Sequence, residues 1–377
     1  MKTIESFIKW VRSLYEVISY KNKGEWIKAL EQFPKKDIFY LHEYCNLYPS
    51  LGDGEPYLFV YRDEEKNQVC YVFFKRNLQE IPFFRATEAI YDIITPPYGY
   101  GGPFYMTGDK KQLILNFRKE FEEYCQKENI ISEFVRFHPL YQNHVYLEDT
   151  MDVFFDRETV YVDLEKREDQ IVHNYHKNHR RNLNKAIKNQ LHFHVFQKED
   201  AVNQVEIFYE LYKETMDKLN AASYSYFSTI YIENLLSDLT ENAIIAAAFY
   251  QGHMVSAALC LMEGGSIHYH LGCSRREMLY VGINVFLLHQ TAIWAKQQGC
   301  HTFHLGGGHV GRDSLFQFKY RFNSSGILPF YVGRKIHHQE KYQSLVDSWE
   351  EYYKQKASDT FFPAYRMKPI EFIGTWN

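Results

Sequence analysis

Residues 170–189 form a strongly basic segment that contains no acidic residue. Its cations, called the basic strip below, are Lys177, Arg180, Arg181, Lys185 and Lys188. Helical periodicity places most of them opposite an apolar side that comprises Val172, Tyr175, His179, Leu183, Ala186 and Ile187. Like charges on one face repel each other, and the whole chain carries a net charge of −4. The strip is therefore either a solvated helix face or a site for phosphate or carboxylate groups.

The same segment holds His173, His176 and His179, which are three residues apart. Their directions spread around the helix, and the H-E-x-x-H pattern of zinc enzymes is absent from the sequence. We expect these histidines to pack or to form hydrogen bonds, and we expect no metal.

A glycine-rich segment follows a predicted strand at residues 301–305. Gly306, Gly308 and Gly311 match G-x-G-x-x-G, but residues 319–339 contain no Asp or Glu for a ribose. The G-K-[ST] of a phosphate-binding P-loop is also absent. Both nucleotide interpretations are rejected. The glycines indicate backbone that passes close to substrate or to packed structure, and Lys319 is a candidate cation beside a cleft.

The loop at residues 272–284 connects a predicted strand to a long helix. A helix N-terminus binds anions through its free N–H groups and its dipole. The candidate anion-binding residues here are Arg275, Arg276, Gly282 and Asn284. An ordinary surface loop is an equally good interpretation of this segment alone.

Composition narrows the class of protein. The 377 residues are 45% hydrophobic and 24% charged, as in globular proteins, and their number predicts two domains. The net charge argues against a globally basic DNA-binding protein. Six scattered cysteines without a C-x-x-C pair indicate reduced thiols. Neither a signal peptide nor a membrane span is expected, so we expect a cytoplasmic protein.

Two halves repeat one order of elements: a hairpin, a strand, a loop, a helix and a final strand. The last two strands of each half must run parallel, because a helix connects them. We place the boundary near Asp156, which gives domains of residues 1–155 and 156–377. The fold class is α/β with mixed sheets, and no low-complexity linker separates the halves.

This pattern resembles the duplicated GNAT-like acyltransferase domains of the Fem family, the aminoacyltransferases that build peptidoglycan bridges, and their bacterial relatives. The resemblance rests on four segments: residues 91–102, residues 179–188, the three glycines at 306–308, and an F-K-x-x-F type motif at 315–322. In order, they span about residues 20–345.

The resemblance implies two tandem GNAT-like domains and transfer of an acyl or aminoacyl group to an amine, without a metal. The donor would be acyl-CoA, or alternatively aminoacyl-tRNA, because the CoA signature keeps only Gly282 of its glycines. The acceptor would be a small or nucleotide-linked amine of a cell-envelope precursor, or an amino sugar. His270 and Lys319 are the candidate catalytic residues. The expected cleft lining is Gly99, Gly101, Tyr224, Tyr226, Gly306, Gly307 and Gly308.

Two alternatives remain at this point. One is a tRNA-dependent aminoacyltransferase of peptidoglycan bridges. The other is a protein without catalytic activity that uses the same fold to bind an anionic ligand, since a fold alone does not prove an activity.

Overall fold

The computed structural model describes residues 14–33, 36–84, 88–106, 108–221 and 226–370. The strands that begin before residue 156 are β1 (Tyr15–Ser19), β2 (Glu55–Arg62), β3 (Gln68–Asn77), β4 (Tyr91–Ile94), β5 (Phe104–Met106), β6 (Ile130–Arg136) and β7 (Asp152–Asp163). The later strands are β8 (His192–Gln197), β9 (Ala243–Tyr250), β10 (His253–Glu263), β11 (Ser266–Ser274), β12 (Thr302–Gly307) and β13 (Ile327–Ile336).

Eleven α-helices accompany these strands within the described ranges. They are α1 (Lys23–Leu30), α2 (His42–Cys45), α3 (Lys110–Lys127), α4 (Glu168–Asn174), α5 (Lys177–Lys188), α6 (Lys198–Val202), α7 (Val205–Lys218), α8 (Thr229–Asp238), α9 (Ile283–Gln297), α10 (Ser314–Tyr320) and α11 (Gln339–Tyr353). The mixed α/β class is confirmed.

One mixed sheet contains the described strands in the order β1-β2-β3-β4-β6-β13-β7-β12-β11-β10-β9-β8, and β5 pairs with β3. The predicted parallel pairs are both present, β4 with β6 and β11 with β12. β13 lies between β6 and β7 and so joins the two halves. The boundary near Asp156 falls inside β7, and the division into two domains stays a prediction.

The central strands of the second half are covered on both faces. Ala257, Leu259 and Leu261 of β10 pack in the same cluster as Phe208 of α7. The alternate residues of β10, such as Ala258, pack in the cluster that contains α9. Strand side chains alternate between faces, so these apolar runs require a helix on each side. The same cluster that holds α7 also includes buried side chains of the first half, such as Tyr40, Tyr44 and Tyr48.

The sequence has a helical pattern over residues 167–189, which predicts one helix, but the structure has two. Tyr175 ends α4 in an extended conformation, and His176 is the N-cap of α5, where its Nδ1 accepts a hydrogen bond from the backbone N–H of Asn178. The break is fixed by tertiary contacts, because the Tyr175 ring is buried and the His176 N–H donates to Arg321 O. Ile187, predicted on the apolar side, is 57% exposed.

Three other element boundaries differ from those that the sequence pattern predicts. The helical pattern of residues 201–219 is divided between α6 and α7. The strand pattern of residues 159–164 is the end of the longer β7, and that of residues 266–271 continues through Gly272 to Ser274. The six cysteines are buried and free, as reduced thiols would be. Among the described residues, no helix has the length and apolar character needed to cross a membrane.

Candidate active site

Two parallel strands separate in the middle of the second half. β11 and β12 pair at Ser266–Thr302, Ile267–Phe303 and His268–His304. Beyond His304 the pairing stops, although β11 continues to Ser274 and β12 to Gly307. We call the space between residues 269–274 and residues 305–307 the strand gap. A gap of this kind exposes backbone N–H and C=O groups of both strands, which can then bind a ligand.

Lys319 bridges the strand gap. It lies on the short helix α10, its Nζ donates a hydrogen bond to Gly307 O at 2.8 Å, and it sits 5.6 Å from the centroid of the Tyr269 ring. The residue is only 6% exposed, and burial lowers its pKa to about 8. Within the described ranges, no carboxylate forms an ion pair with it. A buried cation without a counterion is suited to stabilise negative charge on a ligand.

The three consecutive glycines have different roles. Gly306 has φ +74°, and a Cβ there would lie 3.4 Å from the Lys319 Nζ. Gly306 thus keeps the space beside the ammonium open. Gly307 and Gly308 are explained by packing: a Cβ would meet Glu158 O at 2.6 Å in the first case and the Asp313 carboxylate, which caps α10, in the second.

Residues 96–103 of the first half cover the strand gap of the second. The Tyr100 ring lies 5.3 Å from His304, and the Tyr98 ring lies 5.1 Å from His270. Gly99 and Gly101 hold this loop close to its support, since a Cβ would meet the Phe39 ring in the first case and the Thr95 side chain in the second. Both halves therefore contribute to one site.

Arg136 supports the same loop and was not identified from the sequence. Its Nε donates to Gly99 O at 3.0 Å, and its guanidinium lies over the Phe330 ring at 5.3 Å. It stands at the carboxyl end of β6, beside the loop that follows β4. Ligands of parallel sheets bind at such strand ends, and that rule is the signal that could have found it.

His270 is a weak proton acceptor in this environment. Its Nε2 lies 3.1 Å from the Tyr231 hydroxyl, and burial lowers its pKa to about 3. The imidazole is neutral at pH 7 and holds a proton poorly. Tyr226 is 39% exposed, and its hydroxyl donates to Asp217 at 3.1 Å. Tyr224 lies outside the described residues.

The basic strip occupies the outer face of α5. Lys177, Arg181, Lys185 and Lys188 are exposed, whereas Arg180 is half-buried and donates to His173 O. In the part of the chain that the structure describes, none of these five cations forms an ion pair with a carboxylate. The Lys185 Nζ lies 5.5 Å from the ring of Tyr280, which is in the turn just before α9. The strip and the predicted anion-binding loop are therefore neighbours.

The N-terminus of α9 is held directly against α5. Gly282 is its N-cap, has φ +84° and offers no side-chain oxygen to the first turn. A Cβ there would collide with Asn182 O of α5. Only glycine fits this left-handed position at so close an approach. No side chain caps the first turn of α9, whose N–H groups have no partner within the helix itself.

The other residues predicted in this loop have protein partners. Asn284 accepts a hydrogen bond from Ser256 at 3.0 Å and donates to Ser274 at 3.3 Å, so it ties α9 to β10 and β11. Arg275 forms an ion pair with Glu214. Arg276 is exposed and makes no ion pair with any described carboxylate. Of the two arginines, only Arg276 keeps an uncompensated charge.

Among the described residues, one group of three could hold a metal ion: Asp37, His138 and His268. Sequence patterns do not reveal this group, because its residues are far apart in the chain. Two histidines of the basic segment have other roles: His176 caps α5, and the Nε2 of His179 bonds Phe318 O at 2.9 Å. Burial lowers the pKa of His179 to about 4, so its neutral ring donates this bond and holds α10 beside Lys319.

Comparison with known proteins identifies the fold. Residues 173–320 match the family model described as an acetyltransferase (GNAT) domain. A search of the curated proteins finds no matching sequence. A crystal structure of FemX is 15% identical, with a TM-score of 0.63, and the match covers 88% of this chain and 99% of that one.

Two further structures are similar. L-PGS from Bacillus licheniformis has a TM-score of 0.53 at 15% identity, covering 82% of this chain and 90% of that one. The C-terminal domain of a protein described as a lysylphosphatidylglycerol synthetase, from Agrobacterium fabrum, has a TM-score of 0.51 at 14% identity, with coverages of 83% and 92%. The chain therefore has the fold of the Fem-like GNAT acyltransferases, with its GNAT domain in residues 173–320.

Proposed function

We propose that the chain is an N-acyltransferase that moves an acyl or aminoacyl group to an amine of a cell-envelope precursor or amino sugar in the cytoplasm. The observation that carries the proposal is Lys319, a buried ammonium without a carboxylate partner among the described residues, placed where two parallel strands separate. The similarity of the chain's fold to that of FemX supports acyl transfer as the class of reaction.

The reaction needs stabilisation of one developing charge above all. A neutral amine attacks the carbonyl carbon of a thioester or ester, and the carbonyl oxygen becomes negative. Lys319 uses one N–H on Gly307 O, which leaves the others for this oxygen. When the intermediate collapses, the carbon–sulfur or carbon–oxygen bond breaks and the amide forms. The amine proton goes to the leaving sulfur or oxygen, because His270, with its pKa near 3, does not retain a proton at neutral pH.

Phosphates of the donor would bind at the junction of α5 and α9. The N-terminus of α9 has no side-chain cap, and Lys185 of the basic strip lies 5.5 Å from the Tyr280 ring just before this helix. Both proposed donors, acyl-CoA and aminoacyl-tRNA, carry phosphates. An exposed strip along a whole helix suits a long polyanion, whereas a helix N-terminus suits a pyrophosphate.

Turnover assays with both donor classes test the proposal. Labelled acetyl-CoA or a pool of labelled aminoacyl-tRNA is incubated with amino sugars and with a nucleotide-linked muramyl peptide, and acylated acceptor is measured by mass spectrometry. We expect product with one donor class, and its loss in Lys319→Met. A folded protein that binds these donors but transfers nothing would instead indicate the binding protein without activity.

Salt dependence separates the two donors. Binding of tRNA through several phosphate contacts should weaken steeply as the salt concentration rises, because counterions are released. Binding of CoA in a compact pocket should respond far less. Donor affinity measured at several salt concentrations therefore assigns the donor class independently of the acceptor.

A further inference from the structure

A fully buried carboxylate lies where the two halves of the chain meet. Asp37 is 0% exposed, and His138 and His268 beside it are 0% and 3% exposed. In the described ranges, Asp37 forms no ion pair with a lysine or arginine; its ionic partners are these two histidines. A buried carboxylate without a compensating cation is costly, so a positive charge is required at this point.

The cluster contains several buried polar atoms without a hydrogen-bond partner. These atoms are Asp37 Oδ1, His138 Nδ1 and His138 Nε2. The His138 Nε2 lies 3.3 Å from Asp37 Oδ2, within ion-pair distance. Buried polar groups in folded proteins nearly always have a hydrogen-bond or metal partner. This group of atoms therefore indicates a partner that accepts their lone pairs, as a metal ion does.

The distances fit a metal ion of ordinary size. Asp37 Oδ2 is 2.9 Å from His268 Nε2 and 3.3 Å from His138 Nε2, and the ligand atoms of all three residues lie within 4.8 Å of one another. Tetrahedral zinc with bonds of about 2.0–2.1 Å places its ligand atoms roughly 3.3 Å apart. The Asp37–His138 distance matches this spacing, and the Asp37–His268 distance is shorter by a few tenths of an ångström.

The donor chemistry also suits a metal. Zinc in proteins commonly takes imidazole nitrogen and carboxylate oxygen as ligands. Behind the site, His268 Nδ1 lies 3.4 Å from His304 Nδ1, which gives this ring the outer partner that metal-bound histidines usually have.

We propose that Asp37, His138 and His268 bind one zinc ion. Asp37 directly precedes the short helical turn Ile38–Tyr40, His138 follows β6, and His268 lies on β11. The ion would therefore join the two halves at the base of the strand gap. It supplies the positive charge that Asp37 needs, and it does so at a site distinct from Lys319.

Metal analysis of the purified protein tests this proposal. The chain is produced in zinc-supplemented medium, its affinity tag is removed, and metal content is measured by inductively coupled plasma mass spectrometry. We expect close to one zinc ion per chain. Asp37→Asn, His138→Gln and His268→Gln should each lose most of it. The matched control is His289→Gln, a buried histidine on α9 that bonds the Tyr175 hydroxyl and should leave the zinc content unchanged.

A second measurement needs no variant and so does not depend on whether the variants fold. The wild-type chain is refolded with Co²⁺, with Zn²⁺ or with a chelator. We expect the visible absorption bands of low-symmetry Co²⁺, and a higher melting temperature with Zn²⁺ than with the chelator. The proposal would be overturned if the protein contained no metal and zinc did not change its melting temperature. A protonated histidine would then balance the charge of Asp37. Neither readout requires acyl transfer, so failure here leaves the proposed function standing.

Discussion

Replacing Lys319 with methionine should separate catalysis from stability. The side chain keeps its length and apolar stem but loses the ammonium that faces the strand gap. Loss of one preformed donor to a developing oxyanion lowers kcat by about 10²–10³-fold. The structure therefore predicts a loss of this size in Lys319→Met.

The stability of the same variant should not fall. A pKa lowered from 10.5 to about 8 means that burial disfavours the charged form by about 3 kcal/mol. The substitution removes this cost, and it leaves Gly307 O without its donor, which costs about 1–3 kcal/mol. The free energy of unfolding should therefore stay unchanged or rise by up to about 2 kcal/mol.

The assay combines acyl transfer with urea unfolding. Lys296→Met is the control, because its Nζ also donates to a backbone carbonyl, Leu164 O, away from the strand gap. We expect the control to keep its activity. A Lys319→Met protein that stays active, or one that loses activity only because it unfolds, would refute the assignment of Lys319 to the transition state.

Three other predictions concern pH, the α9 N-terminus and the basic strip. Activity should fall as the pH rises through about 8, because the Lys319 ammonium loses its proton there; a pH–rate profile measures this. The free energy of unfolding should rise between about pH 8 and pH 10.5, because the unfolded chain still binds this proton and the folded chain does not; urea unfolding measures this. Gly282→Ala should lower the melting temperature more than Gly252→Ala, because both have positive φ but only the first would meet a backbone carbonyl of α5; equal losses would contradict this. Arg181→Glu should weaken donor binding and flatten its salt dependence, whereas Arg62→Glu, on β2, should not; donor titrations at several salt concentrations measure both.

Local patterns identified most elements of the fold. The β9–β10 hairpin was visible as two apolar runs around a glycine turn, and α9 ends before Gly299, which has the positive φ of a helix stop. The break at Tyr175 was not visible. It depends on contacts with His289 and with the backbone of Arg321, which are remote in sequence. Tertiary contacts override helical periodicity there.

Some residues of the site could likewise be predicted from the sequence, and others could not. Lys319 and Gly306 could be found, since the glycine run and the following F-K motif are contiguous in sequence. Asp37, His138 and His268 could not be combined, because more than a hundred residues separate each from the next and only the sheet brings them together. The available signal was the His-Tyr-His sequence of residues 268–270, because alternation along a strand puts His268 and His270 on one face of β11.

Residues of both halves meet at the strand gap. The loop at residues 96–103 covers the strand gap, and its tyrosines contact His270 and His304 of the second half. Lys319 lies beside this covered gap and is only 6% exposed. Exclusion of water strengthens the interaction of a cation with an oxyanion.

A structure of the protein with a non-hydrolysable acyl donor analogue is the most direct test of the central claim. If Lys319 stabilises the oxyanion, the carbonyl oxygen of the analogue will lie within hydrogen-bond distance of its Nζ, between β11 and β12. The donor phosphates will then lie at the N-terminus of α9. A carbonyl bound elsewhere, with Lys319 still enclosed by protein alone, would contradict the account.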